Sequence, residues 1–271
     1  MRDDLGHPMT SSHRPRRVVS LVPSLTEAIA ASASDVLVGA TEWCTHPAGL
    51  DVPRFGGTKN PDVDGILAAA PDLVVANEEE NKPEHVADLR AAGMDVWVTD
   101  IRTVEQALAS LARLLDVLDA PERGWLDDAA AAWSAIPEVP RAERRTALVP
   151  IWRRPWMALG RDTYAGDVLA RLGVDNVLAD ADERYPRVDL TRIVGDVDLV
   201  VLPDEPYRFT ADDGPEAFAP LPCALVSGRH LTWYGPAMVD APRLLADAIN
   251  AADGAADGDA ADPSSTAPPA G

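Results

Sequence analysis

Residues 17–33, RVVSLVPSLTEAIAASA, combine a short apolar strand with the start of a helix. The first six residues are rich in valine and leucine, as strands covered on both faces are. A proline then opens a segment of helical periodicity, in which we expect Ser24 to cap the helix and Glu27 to complete a capping box. A buried strand that runs directly into a helix is the repeating unit of a parallel α/β sheet.

The same alternation of strand and helix continues on both sides of a long helical span. Six further apolar runs are predicted to be buried strands, because each is short, rich in β-branched residues and bounded by turn residues. In chain order they are DVLVGA (35–40), DLVVA (72–76), DVWVT (95–99), TALVPIW (146–152), VDLVVLP (197–203) and CALVSG (223–228). Helical segments such as PDVDGILAAA at 61–70 separate them, and the last helix is predicted from Pro236 to Asn250.

This order predicts an α/β fold with two parallel-sheet lobes. The N-terminal lobe is expected at 17–102 and the C-terminal lobe at 137–250. A backbone helix at 103–136 would join them, as one long helix or as two in tandem, since Pro121 interrupts its pattern. The flanking segments 1–16 and 251–271 have little apolar surface to bury, and we expect both to be disordered.

Charge and composition exclude several classes of function. The chain of 271 residues has a formal net charge of −20, which repels nucleic-acid phosphates and anionic membranes. We find no transmembrane run, no apolar signal-peptide core and no lipid-anchor cysteine near the start, so the sequence as written predicts a cytoplasmic protein. We also expect a monomer. The two cysteines are far apart, which disfavours a disulfide framework or structural zinc.

The candidate ligand-binding residues follow the predicted strands. Ligands of open parallel sheets bind beyond the carboxyl ends of the strands, so two facing lobes would enclose a ligand in a cleft. Flat aromatic faces at these positions suit a large planar ligand, although single rings can also plug the end of a sheet. The aromatic candidates are Trp43, Trp152, Trp156, Tyr164, Tyr207, Trp233 and Tyr234. The remaining candidates in the same loops are Ser24, Cys44, His46, Gly57, Asn77, Arg153, Arg161, Glu205 and His230.

A direct metal site is one interpretation of these loops. Glu42, Cys44 and His46 alternate, so in an extended segment they would point the same way, and His230 could join them from the other lobe. Thiolate and imidazole suit zinc, copper or cobalt. The alternative is that Cys44 is a buried, capped thiol without a metal.

Catalysis is the second function to weigh, and the sequence gives it little support. It contains no GxSxG, P-loop, GxGxxG or HExxH motif. Asp204 and Glu205 are adjacent, so their side chains diverge and do not form an acid–base pair. Arg153, Arg154 and Arg161 can hold carboxylates or phosphates of a ligand without any catalytic step. We therefore expect a binding protein with no required cofactor.

Three motifs resemble one known family. The opening RVVSLVPSLTEAIAA, the segment GATEWCTHP at 39–47 and GGTKNPDVDGILAAAPDLVVAN at 56–77 are together similar to the periplasmic-binding-protein family of cobalamin and ferric-siderophore uptake systems. Members are also called helical-backbone metal receptors. The resemblance extends from about Arg17 to Asn250, nearly all of the chain that we expect to be ordered.

The resemblance implies two α/β lobes joined by one rigid helix, with a corrinoid or other metal chelate bound reversibly between them. It assigns Ser24 and Glu27 to the opening motif and Gly57 to the loop before the next helix. It also implies an ABC permease partner that docks to glutamates, for which Glu84 is the candidate on the first lobe.

Two features depart from the family. Cobalamin binders tend to have an aromatic residue after the third strand, where this chain has Asn77, and transport receptors are exported. A cytoplasmic sensor or scavenger on the same fold is therefore the alternative function.

Overall fold

The computed structural model describes residues 1–11 and 13–258, which form two compact units. Unit 1 consists of Met1–Pro137, Thr163–Val168 and Thr232–Pro242. Unit 2 consists of Glu138–Asp162, Leu169–Leu231 and the chain from Arg243. Each unit is therefore assembled from separate stretches of chain, whereas the sequence predicted one continuous stretch for each lobe. None of the helices in the described part of the chain is long and apolar enough to cross a membrane.

Unit 1 is built on a four-stranded parallel sheet. Its strands are β1 (Val18–Ser20), β2 (Leu37–Ala40), β3 (Leu73–Asn77) and β4 (Val96–Thr99), in the order β2-β1-β3-β4. Its helices include α1 (Pro23–Ala33), α2 (Val63–Ala68), α3 (Pro83–Ala91), α4 (Val104–Val117) and α5 (Gly124–Ser134). All five residues of β3 are buried, and Ile66 and Leu89 from α2 and α3 pack in the same core cluster as its side chains. The valine-rich runs are buried strands because helices cover the sheet.

The start of α1 differs from the predicted capping box. Val22 is the N-cap and Pro23 occupies the first turn, so Ser24 lies inside the helix and makes no cap hydrogen bond. Ser24 and Glu27 are both buried. Proline suits the first helical position because it needs no donor there and already has a helical φ.

The predicted connecting span at 103–136 contains two helices, α4 and α5, rather than one. α4 ends at Val117, and Asp119 then adopts a φ of 46°, which a continuing helix does not allow. Pro121 follows and has no amide hydrogen to donate. Both helices belong to unit 1.

The first residues of the chain, expected to be disordered, make specific contacts with β4 and its flanks. Asp3 is buried, accepts a hydrogen bond from the amide of His7 and pairs with Arg90 at 2.8 Å. Asp95 accepts bonds from the Thr10 amide at 2.9 Å, the Thr10 hydroxyl at 2.7 Å and the Ser11 amide at 2.9 Å. Paired carboxylates hold this segment, so its polar composition alone misled the prediction.

Unit 2 is built on a second four-stranded parallel sheet. Its strands are β5 (Arg145–Leu148), β8 (Val174–Asn176), β9 (Leu199–Pro203) and β10 (Cys223–Val226), in the order β10-β9-β5-β8. A small antiparallel pair joins β6 (Pro150–Trp152) to β7 (Met157–Ala158). The helices in this part of the chain are α6 (Tyr164–Arg171), α7 (Leu190–Ile193), α8 (Gly228–Thr232) and α9 (Ala241–Gly258). α9 begins after the predicted Pro236 and continues into the expected tail at 251–271, whose residues 259–271 lie outside the described part.

The two sheets share one topology. In each, the first strand is internal, the second pairs on one side of it, and the third and fourth pair on the other side. The confirmed fold is therefore two parallel-sheet α/β regions, repeated in topology although no repeat is visible in the residues. The direction in which successive strands are added to the sheet reverses between β1 and β3 in unit 1 and between β5 and β9 in unit 2; we call this point the change of direction. In open parallel sheets this change of direction leaves a crevice at the carboxyl ends of the strands.

We predict that Asp95→Ala lowers the free energy of unfolding by about 1–3 kcal/mol, because it removes three hydrogen bonds to a charged acceptor. Burial raises the pKa of Asp95, but the bonds from Thr10 and Ser11 outweigh it and hold the pKa below 3.8. This contribution is therefore complete at neutral pH and is lost as the pH falls below that value. Urea denaturation at pH 7 and in acid measures both effects. Asp51→Ala, on an exposed loop, is the control, and equal stability of the two variants would contradict the contact.

Candidate functional site

The segment after β2 forms a tight turn rather than an extended strand. The amide of Cys44 donates to the carbonyl oxygen of Thr41 at 3.2 Å, which closes the turn. Glu42 and Trp43 therefore point outwards, whereas Cys44 is buried. The Trp43 side chain is 65% exposed. Gly57 lies beneath this ring, since a Cβ at Gly57 would stand 3.1 Å from Trp43 Nε1.

The Cys44 thiol is a buried group that contacts two threonine hydroxyls. Its sulfur lies 3.0 Å from Thr26 Oγ1 and 3.1 Å from Thr41 Oγ1. Burial raises the pKa of Cys44, and the two threonine hydroxyls only partly oppose that shift. A neutral thiol is a poor nucleophile and a poor metal ligand. This arrangement matches the second interpretation of the loop.

The predicted metal cluster of Glu42, Cys44, His46 and His230 does not form. The turn sends Glu42 and Cys44 in opposite directions, so the alternation of an extended strand does not apply. His230 belongs to unit 2, where its Nδ1 lies 2.9 Å from Ser227 Oγ. The described residues contain no group of three or more histidine, cysteine, aspartate or glutamate side chains that could hold a metal.

Distant segments complete the aromatic cluster of unit 1. His46 meets the ring of Trp233 edge-on, with centroids 5.3 Å apart, and Tyr164 meets Tyr234 edge-on at 5.6 Å. Trp233, Tyr234 and Tyr164 are all buried. Their positions in the chain predicted that these three residues lie in the C-terminal lobe, but they belong to unit 1. These rings are buried inside unit 1, in keeping with the alternative that single aromatic residues fill the end of a sheet.

The hydroxyl of Tyr234 lies at the carboxyl edge of the unit 1 sheet. It interacts with the side chains of Ser24, which follows β1, and Thr99, which ends β4. Burial raises the pKa of Tyr234 well above 10, and the negative charges of Glu80 and Glu79 raise it further. The edge of unit 1 therefore combines a neutral phenol with carboxylates from the loop after β3.

Asn77 is fully engaged within the fold and is not available to a ligand through its carboxamide. Its Oδ1 accepts from the amides of Glu79 and Glu80, at 2.9 and 3.1 Å. Its Nδ2 donates to the carbonyl oxygen and the hydroxyl of Thr99, both at 3.1 Å. These four bonds use the whole capacity of the side chain. Asn77 shapes the turn after β3, which corrects its prediction as a ligand contact.

In unit 2, a pair of rings, one exposed and one half-buried, lies at the carboxyl edge of the sheet. Trp152 ends β6, just beyond β5, and Tyr207 lies beyond β9, so both follow the strands that flank the change of direction. Their rings meet edge-on at 5.7 Å. Trp152 is 45% exposed, which leaves much of its face available.

Arg153 is held by two carboxylates instead of being open to a ligand. Its guanidinium donates to Asp213 through a short bond and to Glu216 Oε1 at 2.5 Å. Tyr207 donates its hydroxyl proton to the other oxygen of Asp213 at 2.6 Å. The predicted role of Arg153 in gripping ligand carboxylates is therefore not supported. Asp213 and Glu216 were missed because exposed acidic residues are common in a chain of this charge.

The other unit 2 candidates have structural or peripheral positions. Trp156 stacks on Phe209 with centroids 6.1 Å apart and packs on the core, so it fills the unit. Arg161 is exposed and pairs with Asp162 at 3.6 Å. Glu205 packs closely on Gly228, where a Cβ would stand 2.7 Å from the Glu205 backbone nitrogen. The most exposed aromatic candidates are thus Trp43 in unit 1 and Trp152 in unit 2.

Similar proteins share this sequence pattern and fold. Residues 18–201, a range that includes parts of both units, match a family described as periplasmic binding protein. The vitamin B12-binding protein of Vibrio cholerae serotype O1 is 24% identical over 200 residues, which cover 70% of each chain. A periplasmic heme-binding protein from Pseudomonas aeruginosa is 25% identical, with a TM-score of 0.68 over 86% of this chain and 92% of that one. CeuE of Helicobacter pylori, solved as a nickel–histidine complex, is 15% identical, with a TM-score of 0.77 over 95% of this chain and 90% of that one.

We predict that the thiols of the native protein react slowly with a disulfide reagent at pH 8, because only the thiolate attacks. Burial, followed by the charge of Glu216, raises the pKa of Cys223 to about 11, and Cys44 is fully buried. In Cys223→Ser, the remaining Cys44 should react at least about tenfold faster after unfolding in urea. The unfolded variant is the internal control. If the native protein reacts fast and one equivalent of zinc suppresses the reaction, the result would instead support the metal-site interpretation of Cys44.

Proposed function

The chain belongs to the periplasmic binding protein family, and we propose on that premise that it captures a corrinoid or related metal chelate for an ABC uptake system. The role in binding a substrate follows from the family. The ligand class is our inference from the relatives and from the exposed rings. No catalytic step is proposed.

The named relatives support a metal chelate as the ligand. The proteins compared above bind vitamin B12, heme or a nickel–histidine complex according to their names. Several curated relatives from other bacteria also carry the name vitamin B12-binding protein. We place a corrinoid first for this reason, and heme second.

The observation that carries the proposal is the pair of exposed tryptophans at the carboxyl edges of the two sheets. Tryptophan is enriched at binding interfaces because its ring buries a large apolar area while its N–H can still find a hydrogen-bond partner. Trp43 follows β2, and Trp152 ends β6, which comes just after the parallel strand β5, so each lies near the edge where open parallel sheets bind ligands. Covering one face of an exposed indole ring contributes about 1–2 kcal/mol to binding.

The permease contact proposed for Glu84 is supported by its position. Glu84 is exposed in the first turn of α3. Family members work in the periplasm. Following the export of a tagged chain therefore distinguishes the transport role from the alternative role of a cytoplasmic sensor or scavenger. Retention in the cytosol would favour the sensor.

We predict that cyanocobalamin or cobinamide binds with a Kd of about 1 μM or tighter, equivalent to roughly −8 kcal/mol. Titrations followed by absorbance and tryptophan fluorescence, with haemin and a ferric siderophore in parallel, rank the ligands. Trp43→Ala and Trp152→Ala should each weaken binding about tenfold, since about 1.4 kcal/mol is lost.

Leu225→Ala is the matched control for these two variants, because Leu225 is a similarly exposed apolar residue on β10. It should leave the affinity unchanged. If none of the four ligands binds more tightly than about 1 mM, the proposed ligand class is wrong. If the tryptophan variants bind as well as the wild type, the ligand uses another surface.

A further inference from the structure

One arginine joins two segments at the carboxyl edge of unit 2. Arg153 directly follows the exposed Trp152, and its side chain is only 15% exposed. Its two terminal nitrogens donate to Asp213 and Glu216, which both lie in the loop between β9 and β10. A guanidinium that spans two carboxylates has a defined orientation, because its donors form a rigid planar fork.

The two carboxylates are themselves fixed within that loop. Asp213 accepts the Tyr207 hydroxyl proton at 2.6 Å, and Glu216 Oε2 accepts from the amide of Gly214 at 2.6 Å. The amide of Thr210 also donates to the carbonyl oxygen of Asp213 at 3.0 Å. Arg153 therefore binds two side chains that are each fixed by further hydrogen bonds within the loop.

Aromatic packing also holds Arg153 against the loop between β9 and β10. The Arg153 guanidinium carbon lies 5.3 Å from the centroid of the Trp156 ring, a cation–π distance. Trp156 in turn contacts Phe209 and Phe218, which come from the β9–β10 loop. The polar and apolar contacts therefore hold the same two segments together.

We propose that Arg153 is a positioning residue that clamps the loop at 204–218 and thereby presents the Trp152–Tyr207 ring pair. The effect on ligand affinity rests on the proposed function, whereas the clamp itself does not. The Tyr207 hydroxyl is held by Asp213 and its ring lies against Trp152 and Phe209, so loss of the Asp213 contact loosens the ring pair.

A direct ionic contact between Arg153 and a ligand makes a different prediction. Such a contact would favour ligands with carboxylates, and its loss would weaken haemin, with its two propionates, far more than a neutral corrinoid. A clamp acts through ring geometry, so its loss weakens every ligand that stacks on Trp152, whatever the charge. The two roles are therefore separable by ligand charge.

Trypsin cleavage after Arg208 tests the clamp without any ligand. Arg208 is exposed in the middle of the loop, and cleavage there requires the local segment to open. Arg153→Gln and Asp213→Asn should each accelerate this cleavage by about fivefold or more. Arg192→Gln is the matched control, because it removes the same charge from an exposed pair with Asp189 in unit 2. It should cleave at the wild-type rate.

Binding of cyanocobalamin and haemin to the same variants tests the consequence for the site. With Arg153→Gln we expect about a tenfold loss for both ligands, and Arg153→Lys should recover only part of it because the fork is lost. Wild-type cleavage in Arg153→Gln overturns the clamp. Faster cleavage with unchanged affinity, or a loss confined to haemin, overturns the positioning role. If neither ligand binds the wild type, the proposed function fails while the cleavage rates still decide the clamp.

Discussion

The order of the strands is the constraint on which the candidate sites depend. In both sheets the chain adds its second strand on one side of the first and then crosses to the other side for the third. The two connections that leave adjacent strands therefore diverge, and their loops cannot pack on one another above the sheet. Side chains have to fill or line that gap. The chemistry of each edge is decided by which residues do so.

The two edges solve this problem with different interactions. In unit 1, Tyr234 lies beside Ser24 and near the carboxylates of Glu79 and Glu80, and the Asn77 carboxamide closes the turn after β3 with four hydrogen bonds. In unit 2, the gap is bordered by Arg153 with its two carboxylates, next to a ring pair that stays partly in water. The same topology thus gives one edge closed by buried rings and one edge held by ion pairs.

The sequence predicted the fold well because its strands carry a strong local signal. Valine-rich runs such as 72–76 are buried in any arrangement of a covered parallel sheet, so their pattern needs no knowledge of neighbours. Site residues depend instead on contacts over long distances. The alternation of Glu42, Cys44 and His46 predicted a common direction only for an extended chain, and a bond from Cys44 to Thr41 was enough to reverse it. Trp233 and Tyr234 were assigned by chain order, but tertiary packing placed them with His46 and Tyr164.

Charge was the property most easily misread from composition. Arginines in a strongly acidic chain suggested anion recognition, yet each acidic neighbour is also a competitor for the guanidinium. Arg153 forms ion pairs with Asp213 and Glu216, whose side chains are 43% and 51% exposed. Partly exposed pairs of this kind are weakened by salt, whereas the buried hydrogen bonds around Asn77 are not. Ionic strength therefore weakens the contacts that hold the loop beside Trp152 more than it weakens the hydrogen bonds that fix the turn at Asn77.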